Sequence, residues 1–274
     1  MTPDPVAGRV AEILARSGFV AAPDEASELV ACAAGDPDRL ASLLARRLSG
    51  EPLAWVTGRA EFCGLEIRVD PGVYVPRWQS EPLARRAASL LPARGTAVDV
   101  CTGSGAVAAV MRALRPSARV LATERDLRAA RCAAANGVEV YTGDLFDPLP
   151  AGIGGSVDVL VGIVPYVPSA ALSLLPRDTF RFEASDAYDG GPDGTDVLRS
   201  VVAGAPALLR PGGSLLLELG ADQAELLADA LRAHRFSLVG VIEDEEGDVR
   251  GLEATLRARR GRSGASGRPA PEAP

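Results

Sequence analysis

Lysine is missing from this chain of 274 residues: all 29 basic residues are arginine, and the one histidine is His234. A hydrolase built on serine, histidine and aspartate would depend on His234, which sits beside Arg235 near the end of an expected helix from Asp222 to Arg235, a surface or capping position. Histidine catalysis is not expected. Cysteine is sparse as well: Cys32, Cys63, Cys101 and Cys132 form no Cys-x-x-Cys pair, which argues against a disulfide framework or a metal site and for buried free thiols. No apolar run approaches the roughly 18 residues of a membrane span, and the amino terminus, with Asp4 in MTPDPVAG, lacks a charged-then-apolar leader. A cytoplasmic protein without membrane contact is expected. Arginines cluster nowhere outside the carboxyl-terminal tail and the net charge is −7, so direct nucleic-acid binding, which relies on phosphate neutralisation, is not expected either.

What is present suits one large domain with a smaller appendage, since 47% hydrophobic content can bury a substantial core. Residues 1–50 read as a helical module for substrate or partner recognition. Within it, Pro5 to Ser17, Asp24 to Ala34 and Pro37 to Leu48 carry apolar residues at helical spacing, with Asp24 and Asp36 as amino-terminal caps. These helices hold little apolar surface, so they are expected to dock on the next domain or on a partner. Residues 51–81 read as a linker containing a hairpin over Glu61 to Pro76, punctuated by Phe62-Cys63-Gly64 and Asp70-Pro71-Gly72. Arg77-Trp78-Gln79-Ser80-Glu81 then lies close to a crevice or caps the next helix, Trp78 serving otherwise as a packing residue.

From 82 to 259, strands beginning near Ala97, Arg119, Glu139, Val157 and Ser214 interleave with helices beginning near Ala106, Leu127, Asp196 and Gln223, the pattern of a parallel sheet covered on both faces. The closing runs Ser237 to Glu243 and Leu252 to Arg257 are too close for anything but an antiparallel hairpin. The expected fold class is α/β, a Rossmann-like class I methyltransferase sheet with an antiparallel edge strand, preceded by the helical module and the hairpin. Residues 260–274, rich in Gly, Pro, Ser and Arg, are expected to be a disordered tail.

The strand Ala97 to Cys101 runs into the turn Thr102-Gly103-Ser104-Gly105, and a second apolar strand ends in Ile163-Val164-Pro165-Tyr166. Side by side, the two strand ends would share one crevice, where open α/β sheets bind ligands. Gly103 to Ala108 also satisfies the relaxed dinucleotide pattern G-x-G-x-x-A, and Glu124, nineteen residues after Gly105, would accept ribose hydroxyls of either a dinucleotide or S-adenosylmethionine. Three features favour S-adenosylmethionine: Asp99 before the turn could face the methionine amino group, Asp144 after the third strand could meet the adenine amine, and Pro165-Tyr166 closes the fourth strand. Hydride transfer would want an acid or base near the nicotinamide, and neither lysine nor a well-placed histidine supplies one.

The stretches GEPLAWVTG, DPGVYVPR, DVCTGSGA, GDLFDPL, RFEASDAYDGGPDGTDVLR and LRPGGSLLLELG resemble, in collinear order from about Gly50 to Gly220, the protein glutamine N5-methyltransferases that modify peptide-chain release factors. That resemblance implies that Cys101, Thr102, Gly103, Ser104 and Gly105 wrap the methionine part of S-adenosylmethionine, that Glu124 holds its ribose, and that Asp144 and Leu145 border its adenine. It also implies a release factor as the protein partner of a chain expected to be monomeric. The family's Asn-Pro-Pro-Tyr aligns with Ile163-Val164-Pro165-Tyr166, so an apolar side chain stands where the family's asparagine accepts a hydrogen bond from the substrate amide. Asn136, the single asparagine, reads as a helix terminator. By resemblance the Val164 carbonyl keeps one acceptor, Pro165 stiffens the turn and Tyr166 walls the slot, while Gln79 could offer an amide oxygen. Three functions follow: a release-factor glutamine methyltransferase, a methyltransferase retargeted to another nucleophile or a small molecule, and a non-catalytic cofactor-binding protein.

Overall fold

Alternating valines in β3 (Thr96–Val100) set the plan of the molecule, because Val98 and Val100 face one side of the sheet while Ala97 and Asp99 face the other. The computed structural model describes residues 4–175, 181–220 and 222–258. Its main sheet has seven strands in the order β5-β4-β3-β6-β7-β9-β8, with β4 (Arg119–Glu124), β5 (Glu139–Thr142), β6 (Val157–Gly162), β7 (Leu209–Glu218), β8 (Phe236–Glu243) and β9 (Val249–Leu256) joining β3. Helices α5 (Glu81–Leu90), α6 (Ala106–Leu114) and α7 (Leu127–Ala135) bury their apolar stripes on the face that carries Ala97, Val161 and Leu216. On the opposite face α8 (Asp196–Leu208) and α9 (Gln223–Ala233) pack against Val98, Leu160, Leu215 and Leu217.

The parallel strands match the expected ones to within a residue or two, except that β7 begins at Leu209 rather than Ser214. The closing pair is the antiparallel hairpin expected, but the strand that opposes the sheet is not at its edge: β9 pairs antiparallel with β7, and β8 lies outside β9. Side-chain burial explains the order, since β9 contributes Leu252, Ala254 and Leu256 to the core while Leu238, Val239 and Val241 of β8 are half exposed.

Ahead of the sheet, α1 (Pro5–Arg16), α2 (Ala22–Ala33) and α3 (Pro37–Leu48) form the expected helical module. Asp36 caps α3 by accepting from the amides of Asp38 and Arg39 at 2.9 and 3.1 Å, as expected. Asp24 caps nothing: α2 starts at Ala22, and Pro23, whose fixed φ and missing N–H suit the first turn, leaves Asp24 inside that turn. The module has a core of its own, Leu14, Ala26, Leu29 and Leu43, closed by Val56 of the unanticipated short helix α4 (Leu53–Thr57).

The hairpin that follows is shorter and earlier than expected. Its strands are β1 (Arg59–Phe62) and β2 (Leu65–Arg68), turning at Cys63-Gly64, both with positive φ, while Asp70 to Pro76 is not strand. Of the four free cysteines only Cys132 is fully buried. His234 is the C-cap residue of α9, as read from its position. The expected tail, 260–274, lies outside the described residues.

Candidate active site

Parallel pairing of Val100 with Gly162 brings the carboxyl ends of β3 and β6 together, and a cavity of about 1030 Å³ opens above them. One half is lined by Cys101, Thr102, Gly103 and Ser104 from the turn after β3, Glu124 from the end of β4, and Asp144 and Leu145 from the loop after β5. The other half is lined by Ile163, Val164, Pro165 and Tyr166 after β6, by Tyr74, Arg77, Gln79 and Ser80 ahead of α5, and by Glu183, Tyr188 and Glu218. Eleven of the thirteen residues singled out from sequence therefore border one space, Asp99 and Gly105 being the exceptions.

Asp99 does not face the cavity. Strand alternation turns it under α6, where Oδ2 accepts from the Thr102 hydroxyl at 2.6 Å and the Ala108 amide at 3.1 Å. Burial pushes its carboxyl up to about 7, against the downward pull of those two bonds. It locks the turn onto the helix rather than meeting a ligand's amino group. Gly105 is likewise structural: with φ +83, it lies where a Cβ would stand 2.9 Å from Val138 and 3.0 Å from Ala133, so only glycine lets α6 approach α7.

Gly103 is different, for with φ +57 nothing stands within 4 Å of its missing Cβ and its backbone is open. Glu124 holds this turn in place, Oε2 accepting from the Gly103 amide and Oε1 from the Asp126 amide, each at 2.9 Å. A carboxylate of that kind, with lone pairs to spare, can also take the two hydroxyls of a ribose. Open backbone, a carboxylate able to accept further hydroxyls and the apolar border of Val107 and Leu145 together fit an adenosine-bearing cofactor. Cys101 adopts φ +56, and burial followed by the Glu124 charge pushes its thiol up to about 12, so it is an inert wall and not a nucleophile.

Asn136, expected to do no more than end α7, is the clamp that sequence reasoning missed. Its amide nitrogen donates to the carbonyls of Ser104 and Arg68 at 2.8 and 2.9 Å, and its oxygen accepts from the Arg68 amide at 2.9 Å, stapling the turn to β2. The acid network across the cavity was missed too. Glu183, buried, accepts from the Val75 amide at 3.1 Å, from Arg77 at 2.7 Å and from the Tyr188 hydroxyl, while the Tyr188 and Tyr74 rings meet edge to face at 5.5 Å. This network joins the segment ahead of α5 to the loop after β6. Tyr166 is fixed at both ends, its hydroxyl donating to Glu218 at 3.0 Å and its carbonyl accepting from Gln223 at 2.7 Å. Burial, then the nearby Glu218 charge, raises the Tyr166 hydroxyl far above its ordinary value, so it stays protonated. Trp78 neither packs nor lines the cavity: it is exposed, with Arg250 over its ring at 5.7 Å.

No protein-family model matches the chain. Among curated proteins it is 39% identical over 229 residues to the release factor glutamine methyltransferase of Moorella thermoacetica, covering 80% of this chain and 77% of that protein. It is 40% identical over 192 residues to the enzyme of the same name from Mycolicibacterium smegmatis, covering 67% of this chain and 68% of that one. Among solved structures, a methyltransferase from Pyrococcus furiosus superposes with a TM-score of 0.52 at 21% identity over 80% of this chain and all of that one, which establishes the shared fold.

Proposed function

The chain belongs to the release factor glutamine methyltransferase family, and from that premise we propose that it transfers a methyl group to the side-chain amide nitrogen of a glutamine in a peptide-chain release factor, a cytoplasmic reaction. It is an S-adenosylmethionine-dependent methyltransferase. The observation that carries the substrate reading is the pairing of β3 with β6, which sets the Cys101 to Ser104 turn and the Ile163 to Tyr166 turn on one cavity. When bound, S-adenosylmethionine supplies an electrophilic methyl on a cationic sulfur. Cys101 to Ser104 would wrap its methionine part, Glu124 would hold the ribose and Asp144 with Leu145 would border the adenine, while Asp99 and Gly105 keep the turn in shape.

An amide nitrogen is a weak nucleophile because its lone pair is delocalised, so the protein's contribution is orientation and exclusion of water. Pro165 fixes φ after Val164, holding the Val164 carbonyl as an acceptor for one amide hydrogen. Tyr166, tied to Glu218 and Gln223, walls the slot. We propose residues 1–50 as the part that recognises the partner, 51–81 as a linker, and 82–259 as the catalytic domain. Ile163 favours a second reading, a substrate with less need for hydrogen bonding. Reactions with S-adenosylmethionine and either a release factor or a panel of small amines and amides separate the two. Transfer to the release factor supports the proposal, and transfer confined to small molecules overturns it.

A further inference from the structure

Glu218 ends β7 and is only 4% exposed, yet one of its oxygens has nothing to bond. Oε1 accepts the Tyr166 hydroxyl at 3.0 Å, whereas Oε2 is shut from water without a hydrogen-bond partner. The Ser80 hydroxyl is buried without a hydrogen-bond partner as well, and it lies close enough to Glu218 to oppose the rise that burial imposes on its carboxyl. Leaving a carboxyl oxygen dry and unbonded costs its full desolvation, a cost that a fold retains where a ligand supplies the donor.

Position says which ligand. Gly162 of β6 pairs with Leu217 of β7, so the next step along both strands sets Ile163 beside Glu218 at the binding end of the sheet. They also share a face: Val161 and Leu216, two residues before each, belong to one core cluster, and Val164 and Leu217 to the other. Both line the cavity. Across β7 the residue opposite Glu218 is Gly251, so no side chain at that position competes for the carboxyl. Burial raises this carboxyl above its ordinary range, with Ser80, Tyr166 and Arg250 opposing the rise, so a further donor would favour its charged form.

We infer that Glu218 accepts a hydrogen bond from the side-chain N–H of the substrate amide, supplying beside Ile163 the acceptor that an apolar side chain cannot, and so selects substrates that present an N–H donor. The assignment rests on the proposed glutamine substrate.

The test is steady-state methylation of a release factor by the full chain and by Glu218→Gln, Tyr166→Phe and Ile163→Asn, singly and in pairs, with calorimetry of S-adenosylmethionine binding on each. Glutamine keeps the shape and one accepting oxygen for Tyr166 but turns a donor toward the slot. Glu218→Gln is expected to lower kcat/KM roughly ten- to a hundredfold with cofactor affinity unchanged, and Ile163→Asn to restore part of that loss. A Glu218→Gln enzyme within twofold of the unmodified chain overturns the assignment. So does a Tyr166→Phe loss as large as that of Glu218→Gln with no rescue of either by Ile163→Asn, which leaves Glu218 only a prop for Tyr166. Should Glu218→Gln fold poorly, Glu218→Asp carries the test: it is expected to lose transfer while binding cofactor, and full activity in it overturns the assignment. No transfer by the unmodified chain overturns the glutamine reading itself and the assignment with it.

Discussion

Removing the Glu124 carboxylate separates its two tasks. In the structure it ties the Gly103 and Asp126 amides at 2.9 Å each, and the proposed function adds two ribose hydroxyls. Hydrogen bonds to charged groups are worth about 1.5–3 kcal/mol net, and at this half-buried position water replaces part of each, so the lower end applies. Glu124→Ala should therefore lose about 3 kcal/mol of cofactor binding, roughly a hundredfold in Kd, together with several degrees of melting temperature from the freed turn. Glu124→Gln keeps one accepting oxygen and should lose about tenfold. Titration calorimetry with S-adenosylmethionine, paired with thermal melts, reads both. A Glu124→Ala protein that melts normally and binds the cofactor within twofold of the unmodified chain would refute the reasoning, since neither the pinned turn nor the ribose contact would then depend on this side chain.

Ile163→Asn in the otherwise unmodified chain should raise release-factor methylation roughly five- to tenfold, less than the full value of a new acceptor because Glu218 already provides one; a fall in rate would point to a retargeted site. Asp99 binds its proton more tightly folded than unfolded, so its contribution to stability is whole below about pH 4 and is lost as pH rises toward about 7. Melting temperatures between pH 4.5 and 8 should accordingly slope less in Asp99→Asn than in the unmodified protein, and equal slopes would contradict the assignment. Val20, 99% exposed between α1 and α2, is a candidate partner contact, so Val20→Asp should raise KM for the release factor while leaving kcat and cofactor Kd alone. An unchanged KM would return that residue to plain surface.

Most of the sheet was legible because parallel strands buried on both faces read as continuous apolar runs, and their ends alone set Cys101 and Ile163 on one crevice. The order of the last two strands was not, since Leu238, Val239 and Val241 of β8 look as apolar as the residues of β9 and only packing decides which arm docks on β7. Asp99 misled for a related reason: its place in the chain is next to the turn, but alternation turns it beneath α6. Asn136 bonds backbone groups 68 and 32 residues away, and no local pattern foretells such contacts. Glu218 did leave a signal, a lone acid in the run LLLEL, whose cost in an apolar strand already asks for a partner.

The atom that receives the methyl group decides between the readings. Release factor incubated with the purified chain and isotopically labelled S-adenosylmethionine, then digested and sequenced by tandem mass spectrometry, answers it directly. One labelled methyl on the side-chain nitrogen of one glutamine, lost when that glutamine is replaced by glutamate, is the predicted result. Label on another residue type, or no label from a chain that calorimetry shows to bind the cofactor, would contradict it.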